Sequence, residues 1–146
     1  MVKAKDFWNY LCEDLDYRFF AGVACKGLDP LYNTMSSDFM HYVPAANERT
    51  ALGLVSGAYV AGLKGGLLLD MMFAYDLSTS LMLNVGYRIP FLTIGYSDQE
   101  EACLPYDFPS ARITTKSYKS ALKKVTSEMK SKSVPGLAII GKGVLS

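Results

Sequence analysis

Glu48 is the residue in this chain best placed to do chemistry. It ends the apolar, strand-like run Val43-Pro44-Ala45-Ala46-Asn47 and opens directly into a helix-forming stretch, Arg49 to Gly62, with glycines at 53 and 57. A lone carboxylate at such a junction can address a ligand by holding or passing a proton. It can equally do no more than stabilise a helix end. Asn47 is a good N-cap, and an acid in the first turn meets the positive end of the helix dipole. Glycine inside a helix costs about 1 kcal/mol against alanine, so two of them one turn apart predict a buried helix pressed close to a neighbour.

The other reactive groups are sparse. Cys12, Cys25 and Cys103 are odd in number and widely spaced, with no Cys-x-x-Cys, and His41 is the single histidine. That supports neither a disulfide framework nor a zinc site, and no metal ligands are assigned. Cys12 reads as a small core residue on a helix. Cys25 follows an apolar strand and can face a cleft, yet no candidate base accompanies it. His41, at a strand end, reads as satisfied by local hydrogen bonds rather than as a ligand.

These groups are positioned by alternating elements. Phe7, Trp8, Leu11, Cys12 and Leu15 fall at helical spacing over residues 5 to 15, and Phe19 to Ala24 follows as a buried strand. Asp29-Pro30 signals a short helix to about Ser36. His41 to Pro44 is the second strand. Gly65-Gly66 reads as a turn into a strand over Leu67 to Met72, Asp76 to Gly86 as a helix, and Phe91 to Gly95 as a strand. Tyr96 to Pro109 is expected to be a mobile loop. A short strand at Ile113 to Thr115, a helix over Ser117 to Lys130 and a last strand over Gly136 to Gly141 complete the chain. The lysines of that helix, interrupted by Glu128 and without interleaved aromatics, form a solvated face rather than a nucleic-acid stripe.

Strands that are apolar throughout and alternate with helices imply an α/β fold, a three-layer parallel β-sheet with helices on both faces. Ligands of such sheets bind at the carboxyl ends of the strands. That edge collects Gly22 to Lys26, Ala46 to Glu48, Met71 to Tyr75 and Gly95 to Asp98, which places Glu48 where chemistry is usually done. Residues 1–146 suit one domain with one filled core. Half the residues are hydrophobic and the formal net charge is +1, which argues against a disordered chain and against an electrostatic nucleic-acid binder. Lys64 and Asp70 bracket the apolar run Gly65 to Leu69, no apolar run approaches the length of a membrane span, and the first residues lack the apolar core of a signal peptide. A cytoplasmic protein is expected.

Several segments together resemble the pyrimidine-binding domain of thiamine-diphosphate-dependent decarboxylases. They are Phe19-Phe20-Ala21-Gly22-Val23, Ala45-Ala46-Asn47-Glu48, Ala51 with Ser56 to Gly62, and Tyr87-Arg88-Ile89-Pro90 before a hydrophobic strand. The likeness is to phosphonopyruvate and sulfopyruvate decarboxylases, runs from about Phe7 to Ile94 and fades beyond Tyr96. It implies a thiamine-diphosphate-binding fold, with Glu48 as catalytic residue and Glu48, Asn47, Gly22 and Val23 at the cofactor. In that family the matching glutamate hydrogen-bonds the aminopyrimidine ring nitrogen. A proton held there favours the imino tautomer that deprotonates the thiazolium carbon, so Glu48 is expected to be sheltered and protonated.

The chain departs from the family pattern twice. Val23-Ala24-Cys25 replaces a turn that usually carries an acid, and Leu69 to Tyr75 replaces a Gln-x-Ser-Gly-x-Gly-Asn-like segment. The Gly-Asp-Gly signature that holds magnesium and diphosphate is also missing. The resemblance therefore implies thiamine diphosphate shared with a diphosphate-binding β-type subunit that also holds Mg2+, in a homo- or hetero-oligomer without nucleic acid or membrane. A second reading is a non-catalytic interaction or regulatory module, with Phe73 and Tyr75 filling the cofactor's space. A nucleotide-binding protein ranks behind both, since neither Gly-x-Gly-x-x-Gly nor a P-loop occurs.

Overall fold

The structure, a computed structural model, describes residues 1–146. Six strands, β1 (Tyr17–Gly22), β2 (His41–Pro44), β3 (Lys64–Asp70), β4 (Leu92–Tyr96), β5 (Ser110–Arg112) and β6 (Gly136–Ile140), form one sheet in the order β2-β1-β3-β4-β6-β5. Every pairing is parallel. Both faces are covered, as the unbroken apolar runs require, because alternate residues of one strand enter opposite cores. Leu68, Ala138 and Ile140 pack with Phe7, Trp8 and Leu11 of α1 (Ala4–Asn9) and its continuation. Leu31 of α2 (Asp29–Tyr32) and Leu122, Val125 and Met129 of α5 (Tyr118–Lys132) complete that core. On the other face Leu67, Leu69, Leu137 and Ile139 pack with Ala51, Leu52 and Val55 of α3 (Glu48–Val60) and Leu81 of α4 (Ser78–Gly86).

Several boundaries differ from the sequence reading for identifiable reasons. The first helix changes to a π-helical turn at Tyr10–Asp14. Gly65 and Gly66 lie inside β3 rather than in a turn. A Cβ at Gly65 would stand 2.5 Å from Cγ1 of Val55, and one at Gly66 2.5 Å from the Phe20 ring, so the glycines admit the core from both sides. Met71 and Met72 leave the strand for a 3-10 turn, Met71–Leu77, because the Asp70 carboxylate accepts a hydrogen bond from the Met72 amide at 3.0 Å and caps it. The edge strand falls at Ser110–Arg112, ahead of the expected Ile113 to Thr115.

The largest correction concerns α3. Gly53 and Gly57 are exposed, and a Cβ at either would meet nothing within 4 Å. The helix buries Ala51, Leu52, Val55 and Ala58 against the sheet and turns its glycines outward.

Candidate functional site at the carboxyl edge

Glu48 is the first residue of α3, just past the carboxyl end of β2, and its side chain is half-buried. Asn47 precedes it in extended conformation, and its side-chain oxygen accepts a hydrogen bond from the Thr50 amide at 2.9 Å. Arg49 does not turn back to Glu48. Its Nε donates to the Asp76 carbonyl at 3.2 Å and ties the start of α3 to the turn after β3. The chain's single ion pair joins Arg18 and Asp16, at 3.6 Å, so Glu48 has no cationic partner.

Gly22 ends β1 opposite Pro44 of β2 and Val23 follows it, and both have their carbonyls committed. The Gly22 carbonyl accepts from the Tyr42 hydroxyl at 3.2 Å and from the Ala45 amide at 2.9 Å. The Val23 carbonyl accepts from the Tyr32 hydroxyl at 3.0 Å. Gly22 is required by packing, since a Cβ would lie 2.6 Å from the Leu68 carbonyl oxygen. Of the four residues the sequence singles out, only Glu48 keeps an unengaged polar side chain.

Cys25 gathers at the neighbouring strand ends with two residues that the sequence reading gave no role, Asp70 and Tyr96. Cys25 Sγ donates to Asp70 Oδ2 at 3.7 Å across β1 and β3. Burial pushes the Cys25 thiol up, reinforced by the Asp70 charge and opposed by backbone donors at Gly27 and Leu28, so it is a neutral donor at neutral pH rather than a nucleophile. Tyr96 ends β4 beside Asp70 and donates its hydroxyl to Asp98 Oδ2 at 2.9 Å; burial, then the Asp98 bond and charge, raise that phenol. The other oxygen of Asp98 accepts the Lys142 amide at 2.8 Å. Position at the carboxyl end of a strand was the available signal for Asp70 and Tyr96.

Two cavities meet at that pair. One, of about 460 Å³, is lined by Lys26, Pro30, Asp70, Tyr96 and Lys142, and the other, of about 610 Å³, by Asp70, Met72, Tyr75, Tyr96 and Asp98. Glu48 lines neither. A third, of about 390 Å³, opens at the amino edge around Tyr17, Lys64 and Gly65, away from the edge where parallel sheets bind ligands. On the 3-10 turn Phe73 is 39% and Tyr75 74% exposed, and Tyr75 lines the second of these cavities. No group of three or more His, Cys, Asp or Glu side chains is arranged to hold a metal ion.

The loop from Tyr96 to Pro109 is fastened at both ends. Arg112 donates to the Ser97 carbonyl at 3.2 Å and also to that of Gln99, and the Tyr106 hydroxyl donates to the Ser78 carbonyl at 3.1 Å. No helix of the structure is long and apolar enough to cross a membrane.

A scan against protein-family models finds no match, and a search of curated proteins finds no related sequence. Solved structures do match in shape. An enzyme described as thiamin diphosphate-dependent, from Mycobacterium smegmatis, superposes with a TM-score of 0.77 at 14% identity, over 95% of this chain and 30% of its own. The thiamine diphosphate-dependent 4-hydroxybenzoylformate decarboxylase of Rhodococcus jostii RHA1 gives 0.77 at 14% identity, over 96% and 30%. The 2-oxoglutarate:ferredoxin oxidoreductase of Magnetococcus marinus gives 0.70 at 11%, over 98% and 29%. This chain thus spans about 30% of the length of these neighbours. At such identities the likeness is one of fold, and the fold is the all-parallel α/β arrangement found within thiamine-diphosphate-dependent enzymes.

Proposed function

We propose that this chain is the pyrimidine-binding, α-type subunit of a thiamine-diphosphate-dependent 2-keto acid decarboxylase, active only with a diphosphate-binding chain. The observation that carries the reading is Glu48: a half-buried carboxylate, uncommitted within the chain, at the carboxyl edge of the fold that thiamine-diphosphate enzymes share. The residues present fit one half of the cofactor. Glu48 would hold a proton at the aminopyrimidine nitrogen. Asn47 would fix the helix start that orients it, and Gly22 and Val23, with their carbonyls engaged, would contribute shape. When bound, the cofactor supplies the electron sink that decarboxylation of a 2-keto acid needs. Nothing in the chain suits the diphosphate or its Mg2+, so both would be held by the partner. A phosphonopyruvate- or sulfopyruvate-like substrate is the finer reading, resting on the sequence resemblance.

The test mixes the chain with a diphosphate-binding candidate, thiamine diphosphate and Mg2+ in a calorimeter and a decarboxylation assay. Cofactor binding should appear only in the mixture, and Glu48→Gln should lower turnover by roughly 100-fold or more. Turnover at the unmutated rate would remove Glu48 from this role.

A second reading, a non-catalytic module of the same fold, is favoured by one feature. The segment after β3 is a capped 3-10 turn with exposed Met72 and Tyr75 rather than a glycine-rich loop. Absence of cofactor binding in every combination would select it.

A further inference from the structure

The cavity of about 390 Å³ at the amino edge lies between the last turns of α3 and α5, over the first residues of β1 and β3. Tyr17 forms part of its wall and is only 6% exposed, yet its hydroxyl makes no hydrogen bond within the chain and is not sealed off by protein atoms. A buried phenol ordinarily has a partner, so this one turns an unspent donor to the opening. Burial raises the phenol and keeps it neutral. Beside it Lys64 is held in place: its Nζ donates to the Leu15 carbonyl at 3.0 Å and stands 5.8 Å from the centre of the Tyr17 ring. An ammonium has three protons to donate, so two remain for a ligand. Lys130 adds a second cation without an ion-pair partner, against the single acid Asp14, and Leu15, Tyr59 and Met129 supply an apolar wall.

We propose that this cavity is a second small-molecule site, which takes an organic monocarboxylate whose apolar body is the size of a benzene ring or a branched alkyl chain. The carboxylate accepts from the Tyr17 hydroxyl and the Lys64 ammonium, and the body lies against Leu15, Tyr59 and Met129. One fixed ammonium and one neutral donor suit a single negative charge. A phosphate is disfavoured, because the lining has no arginine and no helix N-terminus, and Asp14 opposes a second charge. The volume falls within the range of roughly 300 to 1,000 Å³ usual for ligand pockets. The inference is independent of the cofactor reading. Tyr17 and Gly22 stand at opposite ends of β1, roughly 17 Å apart at the rise of an extended strand, so a ligand here touches nothing at the Glu48 edge.

Titration of the isotope-labelled full chain with sodium benzoate and, separately, sodium isovalerate, followed by amide NMR shifts, tests it without cofactor or partner. Saturable shifts centred on Leu15, Tyr17, Lys64 and Gly65 are expected with at least one of the two, at a dissociation constant of roughly 1 mM or tighter. The uncharged alcohol of matching body, benzyl alcohol or isoamyl alcohol, should bind about tenfold more weakly. Tyr17→Phe removes only the unspent hydroxyl, so it should leave the urea unfolding midpoint unchanged while weakening the carboxylate about tenfold. Lys64→Met keeps the apolar stem and should weaken it at least as much. No saturation by either acid at roughly 20 mM overturns the proposal, as do shifts centred on the Glu48 edge, equal affinity for the alcohol, or unchanged affinity in both variants.

Discussion

Asn84 Nδ2 donates to Ser56 Oγ at 2.9 Å, and this bond between two neutral side chains couples α4 to α3 beneath an otherwise apolar surface. The same amide group donates to the Ile89 carbonyl at 3.3 Å, which fixes the chain's exit from α4 toward β4. Asn84 is only 4% exposed, and its removal leaves two half-buried acceptors without this donor. Asn84→Ala should lower unfolding free energy by about 2 kcal/mol in urea titrations, and Ser56→Ala by less. A double-mutant cycle should return a favourable coupling; additivity would show that the pair makes no energetic contact.

Thr93 offers the opposite case. It is fully buried in β4, and its hydroxyl has no hydrogen-bond partner. Thr93→Val keeps the branched shape and removes the orphaned polar group, so it should raise stability by about 1 kcal/mol. Loss of stability in denaturant titration would mean that the hydroxyl finds a partner in solution.

At Gly22 the obstruction is backbone. Gly22→Ala would push its methyl against the Leu68 carbonyl oxygen and Cβ, 2.6 and 2.8 Å away, at the junction of β1 and β3. A strand carbonyl cannot swing aside as a flexible side chain does, and a cost of about 2 kcal/mol is expected. Urea titration beside Gly57→Ala, which meets no atom, gives the contrast.

Alkaline pH should destabilise the fold in a defined window. Burial first, with a smaller push from Glu13 and opposed by Arg18, moves the Cys12 thiol from 9.0 up to about 11. A raised acid binds its proton more tightly folded than unfolded. Its stabilising contribution is complete below pH 9 and disappears as pH climbs to about 11. The loss amounts to about 3 kcal/mol. Burial also raises Tyr17 and Tyr32, whose contributions fade at still higher pH. Cys12→Ala should flatten the stability profile between pH 9 and 11 while leaving the later tyrosine-driven fall.

Thiol reactivity should separate the three cysteines. Cys103 is exposed on the Tyr96 to Pro109 loop, whereas Cys12 and Cys25 are buried. One thiol per chain should react rapidly with an aromatic disulfide reagent in the native state, and the other two only on unfolding. Rapid reaction of Cys25 would show that the Asp70 contact opens readily.

The sheet was legible because Leu67 to Leu69 and Leu137 to Ile140 are apolar at every position, which only a doubly covered strand tolerates. The position of Glu48 followed from the Asn47 cap and from the strand before it. Gly65 and Gly66 misled, since a glycine pair signals a turn unless distant side chains occupy the space, and Val55 and Phe20 do so from elements far away in the chain. Gly53 and Gly57 misled in the reverse sense, because helical spacing shows that two residues share a face without showing which way it points. The joining of Cys25, Asp70 and Tyr96 depends on strand order, which no local pattern encodes.

That order also governs assembly. β6 lies between β4 and β5, although both precede it in the chain. While β6 is still missing, β5 has no neighbour to bond, and β4 presents a bare ladder of amides and carbonyls along one side. As the polypeptide leaves the ribosome, the sheet therefore waits for Gly136–Ile140 to slot in as a keystone, leaving the nascent fold open to intruding strands until that segment has emerged.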